Sequence, residues 1–361
     1  MADHLTPREL NRATLSRQHL LGHSSKPALE MIDHLVGMQA QNPHDPYFGL
    51  WARLDRFDPA DLSTAISRRQ AVRTAYLRAT IHLVTSDDLL ELDPTVRPVS
   101  KRVFSSTSFA RAVAGIDLGE LLATGRALLE EQPRSRADLA RLLADRWPDQ
   151  DPQSMAQAVT YNLPLVQVPP RGLWGQKGNA IWTTVESWLG RTIDTRPDPQ
   201  VLVIRYLAAF GPATSSDMRA WSGVTGLGKV VDGLRDRLRA FTDENGRELL
   251  DLPDAPRPDP QTPAPPRFLP EYDNVLLGHA DRARIIPADA RAPGWEGNLL
   301  HDGFLVGSWK MARNKGEARI VVSPFRAMTK RAASGVADEA ARLLTAVGPG
   351  LIHELEFRRP S

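Results

Sequence analysis

A run of short helices leading into a β-hairpin recurs three times along the chain, and no other feature limits the possible folds as much. Each such unit must lay the apolar stripes of its helices against one face of its hairpin, because neither buries that surface alone. In the first unit, Thr6-Pro7 opens a helix that runs to about Gln18, with the threonine as cap and the proline at the first helical position. Lys26-Pro27 opens a second, with Leu29, Ile32, Leu35 and Val36 on one face, and Asp58-Pro59 opens a third that reaches Ile66. Residues 71–77 and 80–85 read as strands joined tightly at Arg78-Ala79. The second unit places helices at 118–131, 136–146 and 153–162, then a hairpin over 163–168 and 180–185 that turns through Pro169-Pro170-Arg171-Gly172. The third places helices at 200–210, 215–221 and 229–239, with a hairpin turning at Asn245-Gly246. Three helices and a two-stranded flap make a winged helix. The expected fold is therefore α+β, with winged helix-turn-helix units over residues 1–115, 116–196 and 197–255.

After the third unit the character of the chain changes. Pro253, Pro256, Pro258, Pro260, Pro263, Pro265 and Pro266 keep the next stretch extended. Strands at 304–310 and 318–322 then face each other across Asn314-Lys315-Gly316, followed by a helix at 337–346 and a strand at 352–357. Residues 256–361 thus read as a linker and a β-rich C-terminal subdomain.

With 361 residues, 42% of them hydrophobic, the chain has material for a sizeable core. No apolar stretch of about 18 residues exists to span a membrane. The N-terminus lacks the basic start and apolar run of a secretory signal. Without cysteine there is no disulfide, thiolate zinc site or cysteine nucleophile. These features point to a cytoplasmic protein. The 45 Lys and Arg are nearly balanced by 43 Asp and Glu, so nucleic-acid binding must come from the distribution of charge rather than its sum. Basic clusters at Arg68-Arg69, Lys101-Arg102, Arg282-Ala283-Arg284, Lys310…Arg313-Asn314-Lys315 and Lys330-Arg331 permit that, although each by itself reads as solvated surface.

One segment invites a chemical reading: Met38-Gln39-Ala40-Gln41-Asn42-Pro43. Pro43 pushes Asn42 out of helical geometry, so the preceding helix ends before the glutamines. In extended chain, side chains two apart point the same way, and both amides face one space. There they can hold a water and stabilise positive charge growing on a sugar carbon. Spacing alone still favours a polar helix end over a catalytic pair. The run Gly223 to Lys229 imitates a phosphate loop, but Val230 stands where Ser or Thr is needed and a helix precedes it, so it reads as a helix-turn-helix loop. The nine histidines form no metal-binding spacing, and no cofactor is expected. In the polar run 269–282, Asp273, His279 and Arg282 either line a site or form a buried network that ties down the C-terminal part.

The Gln-Ala-Gln segment, the hairpin Arg78-Ala79-Thr80-Ile81-His82-Leu83-Val84 and the run Leu-Pro-Glu-Tyr-Asp-Asn-Val-Leu-Leu-Gly-His-Ala-Asp-Arg resemble the winged-helix DNA glycosylases of the AlkZ and YcaQ type, in order and over nearly the whole chain. The resemblance implies three tandem winged helices forming a concave DNA-binding surface. It implies excision of bulky N7- or N3-alkylated purines or unhooking of interstrand crosslinks from double-stranded DNA, and Gln39 and Gln41 as the catalytic pair. Glutamine rather than an acid at position 41 places the chain nearer the branch that protects makers of DNA-alkylating natural products. Such purines are already cationic and leave without a general acid, so neutral amide dipoles suffice. No lysine nucleophile stands out, which favours plain hydrolysis, with Asp45 or Asp273 as a possible base. Charge and nearness to the motif mark Arg73, Arg78 and His82 as DNA contacts of the first wing and Arg171 and Lys177 of the second, with Asp273, His279 and Arg282 added from the late run. A monomer is expected. The competing reading is a non-catalytic winged-helix regulator, but no sensor or dimerisation segment accompanies the three units.

Overall fold

The computed structural model describes residues 3–290, 296–314 and 316–360. One order of elements occurs three times: helix, short strand, two helices, hairpin. It runs through Ala28–His34, Met38–Gln39, Asp45–Trp51, Pro59–Ser67 and the hairpin Ala71–Ala75 with Ile81–Thr85. It returns as Leu118–Glu131, Arg134–Ser135, Arg136–Arg146, Pro152–Asn162 and Leu165–Gln167 with Ile181–Thr184. The third pass is Pro199–Phe210, a single bridge at Ala213, Ser215–Ser222, Leu227–Asp232 and Arg239–Asp243 with Glu248–Asp251. Each short strand lies antiparallel to the second hairpin strand: Gln39 opposite His82, Arg134 opposite Trp182, Ala213 opposite Leu250.

The first two hairpins do not project separately. Their edges pair, Arg73 opposite Gln167 and Thr74 opposite Val166, and fuse into one six-stranded sheet. Pairing satisfies the backbone groups that an isolated flap leaves open along its edge. The 168–180 connection crosses above this junction. Its Trp174 packs against the rings of His44, Tyr47 and Phe48, and Tyr47 Oη donates to Gly172 O at 2.7 Å.

Three elements depart from the sequence reading. Helix Pro7–Arg17, capped by the reciprocal Thr6–Glu9 box, lies outside the first unit. It packs on Pro199–Phe210, and its arginines pin the proline-rich stretch: Arg8 Nε donates to Pro260 O at 2.9 Å and Arg12 Nε to Thr262 O at 2.8 Å. The place it was assigned is filled by Asp45–Trp51, where Pro46 stands in the first turn instead of breaking the helix. The 20-residue helix Ser86–Ser105, a stretch to which the sequence reading gave no element, carries Pro94 and Pro98 in its interior. Its apolar face, including Leu89, Leu92 and Val96, is buried, and the Leu90 carbonyl that Pro94 cannot use accepts from Asp194 N at 3.1 Å.

Beyond the proline run, Arg267–Leu269, Gly297–His301, Phe304–Asn314, Glu317–Pro324 and Ile352–Phe357 form a five-stranded sheet. The last strand pairs parallel because helix Lys330–Val347 crosses over, burying Val336, Ala340, Leu343 and Leu344. Lys315, the centre of the expected turn, lies outside the described residues. No helix among the described residues is long and apolar enough to cross a membrane.

Candidate active site

The helix before the glutamines ends at His34, and Met38–Gln39 is already strand. Ala40 N donates to Ile81 O at 2.8 Å, which carries the extended course one residue further. Both glutamine side chains meet the same tight connection of the first hairpin. Gln39 Oε1 accepts from Arg78 Nη2 at 2.8 Å, and Gln41 Oε1 accepts from Ile81 N at 3.3 Å. Gln39 is 8% exposed and Gln41 is exposed. Among the described residues, neither amide nitrogen bonds to a protein acceptor. Each amide oxygen has two lone pairs, so both retain capacity for a water.

The connection itself is strained. Arg78 and Ala79 have φ of 54° and 59°, a conformation that side-chain-bearing residues seldom adopt. Tertiary contacts hold it there. Arg78 also donates to Trp221 O, at the end of a third-unit helix, and Arg102 donates to the neighbouring Gly223 O at 2.5 Å. Burial first, and then the exposed Arg282, lower the Arg78 pKa to about 10, so the guanidinium stays charged at neutral pH. Gln39 and Arg78 thus meet at this turn, and Arg78 feels the charge of Arg282 from a remote part of the chain.

Other expected contact residues lie elsewhere. His82 is 2% exposed, donates from Nδ1 to Thr80 O at 3.0 Å and is pushed down to about pKa 3, chiefly by burial. It is a neutral interior group. Asp273 is bound by both oxygens to Arg53, at 2.7 and 2.8 Å, and accepts from Val275 N. His279 is buried, donates to Phe210 O at 3.0 Å and is lowered to about pKa 3 by burial first. Both belong to the buried network that ties the C-terminal part to the rest. Arg73 is 2% exposed and does not stand on an open flap; Gly172 lies over its side chain and its Nε donates to Gln167 Oε1 at 3.2 Å. Arg282 and Lys177 are exposed and Arg171 is half-buried.

Of the two candidate acids, Asp273 is neutralised by Arg53, whereas Asp45 is 4% exposed and its Oδ2 has no partner. Burial, with repulsion from Glu271 and Asp273 and partial relief from Arg73, raises the Asp45 pKa to about 7.

A cavity of about 400 Å³ opens where the first two hairpins meet, beside Gln41. Its walls include Gln157, Thr160 and Tyr161, all from one helix and absent from the sequence reading. Their i, i+3, i+4 spacing on an otherwise small, apolar helix was the available signal.

Repeated helix-and-hairpin units carrying paired amides against a strained turn define the class to which the comparisons then assign the chain. Residues 32–346 match the family described as "DNA glycosylase AlkZ-like", and the chain belongs to that family of DNA-repair glycosylases. Among solved structures, Streptomyces sahachiroi DNA glycosylase AlkZ has the same fold: TM-score 0.74, 21% identity, covering 98% of this chain and 100% of that one. No curated protein matches the sequence.

Proposed function

We propose that the protein is a monofunctional DNA glycosylase that hydrolyses the N-glycosidic bond of bulky N7- or N3-alkylated purines in double-stranded DNA. The three helix-and-hairpin units are read as tandem winged helices, lying within residues 1–115, 116–196 and 197–255, that form a concave DNA-binding surface. Unhooking of interstrand crosslinks, self-resistance to a DNA-alkylating natural product, a monomeric state and a cytoplasmic location complete the reading. The observation that carries it is the attachment of Gln39 and Gln41 to one strained connection, with Gln39 bonded to the Arg78 guanidinium.

In this reading the alkylated base departs as a neutral leaving group, since alkylation has already supplied its positive charge. The sugar becomes oxocarbenium-like, the amide oxygens face that charge and orient a water, and the fixed turn spares them reorganisation. Asp45 has the proton affinity to accept the water's proton near neutrality, and both Asp273 oxygens are taken up by Arg53.

The test is incubation with duplex DNA bearing an N7-alkylguanine, followed by alkaline cleavage of abasic sites. Excision is expected, and Gln39→Ala or Gln41→Ala is expected to lower it at least 100-fold, a loss of about 2.7 kcal/mol of transition-state stabilisation, with DNA binding retained. No strand breaks with any alkylated substrate sinks the glycosylase reading; full activity in both variants sinks the assignment of the pair.

A further inference from the structure

Apart from Gln41, the cavity between the first two hairpins is lined by residues that the excision chemistry does not use. Arg73, Arg136 and Arg171 line it and no carboxylate does. Two aromatic rings, Tyr161 and Trp182, form part of the wall, and the carboxamides of Gln157 and Gln167 reach it as well. Three donors on these lining residues, Arg73 Nη1, Arg171 Nε and Trp182 Nε1, are buried and reach no protein acceptor among the described residues. Buried donors are almost always paired, because leaving one unpaired forfeits its hydration with nothing in return. Three on one wall mark a surface built for an acceptor that the chain does not supply. The like charges of Arg73 and Arg171 also face each other here, which helps lower the Arg73 pKa to about 10, after burial as the larger cause. An anion relieves that repulsion.

Guanidinium groups suit phosphate and the acceptor edge of a purine. Aromatic walls suit a base face. Carboxamides both donate to and accept from base edges. A volume of about 400 Å³ admits one nucleotide. We propose that this cavity is a nucleotide pocket: it takes a single unpaired purine nucleotide, its phosphate held by the arginines and its base against Tyr161 and Trp182, next to Gln41. The proposal rests on the glycosylase reading only for the strand that supplies the nucleotide, since the pocket itself needs no damaged base.

The full-length protein is titrated with lesion-free duplexes that are fully paired, carry one bulged deoxyguanosine, or carry one bulged abasic nucleotide. Binding to the bulged guanine is expected to be about tenfold tighter than to the paired duplex, with quenching of tryptophan fluorescence, and the abasic bulge is expected to lose most of the preference. Arg136→Gln, at an exposed position, and Gln157→Ala are expected to remove it while leaving paired-duplex binding within about twofold to threefold. Free dGMP identifies the source: if it competes for the bulge the pocket accepts a mononucleotide, and if the preference persists against it the nucleotide must come within a strand. Equal binding to paired and bulged duplexes, or a preference untouched by both variants, overturns the proposal. Excision of alkylated guanine is measured separately, so a lost pocket and a lost glycosylase are told apart.

Discussion

Asp45 and Asp273 show how two carboxylates close in space acquire opposite properties. Asp273 is held by both oxygens on Arg53 in the interior. Removing one member of such a pair strands a buried charge, so Asp273→Ala is expected to lower stability by about 3 to 5 kcal/mol, read from denaturant unfolding. Unchanged stability with weakened DNA binding instead makes it a contact residue. Asp45 lacks a bonded cation, and its pKa is raised from 3.8 to about 7. Below about pH 4 its carboxyl is protonated in folded and unfolded chains alike and has no effect on stability. As pH rises the unfolded chain ionises while the folded one keeps its proton, so stability falls until about pH 7 and stays lowered above it. Asp45→Asn is therefore expected to stabilise the protein by roughly 2 to 4 kcal/mol at pH 8, and hardly at all at pH 4. Unfolding curves at the two pH values decide the matter; an equal effect at both rules out the raised pKa.

Among elements, the connection 168–180 exerts the most control over the candidate site. Gly172 has φ of +97°, and a Cβ there meets Arg73 Cδ at 2.6 Å. Gly172→Ala thus combines an unfavourable backbone conformation with displacement of a buried guanidinium. A loss of about 1 to 3 kcal/mol is expected, together with looser packing of Trp174 on His44 and Tyr47, seen as altered tryptophan fluorescence. A stability change below about 0.5 kcal/mol means that the connection is not the clamp it looks to be. The helix Ser86–Ser105 makes a complementary point. Its prolines are tolerated because a remote backbone N–H takes a freed carbonyl and the apolar face is buried. Proline as a breaker is a local rule, and tertiary partners override it.

For the whole molecule, charge arithmetic and function pull in different directions. A net charge of +2 provides no general attraction to DNA. Binding must rely on local clusters such as Arg78 with Arg282. Contacts of that kind release counterions, so affinity for duplex DNA is expected to fall steeply with salt, by about 10³-fold or more between 50 and 200 mM if six or more phosphates are neutralised. Fluorescence anisotropy at several salt concentrations measures the slope. A flat dependence excludes a phosphate-tracking surface.

Read alone, the sequence determined the local elements and their order, since capping residues, apolar periodicity and the Asn245-Gly246 turn act over a few residues. It also predicted the helix break before the glutamines, because Pro43 sits close by, and Met38–Gln39 is strand; the catalytic reading of the pair came from the family resemblance. It did not reveal which charged residues face outward. Arg73 and His82 look like surface groups by type, for Asp273 and His279 the sequence left a lined site and a buried network both open, and packing decides by burying all four and supplying their partners. Nor did it reveal that two hairpins share an edge, because strand pairing across about 90 residues has no local signature. That pairing creates the cavity and sets Arg73 beside Gln167. The sequence thus names the amides, and the tertiary structure decides what surrounds them, for the physical reason that burial and long-range pairing belong to the folded whole.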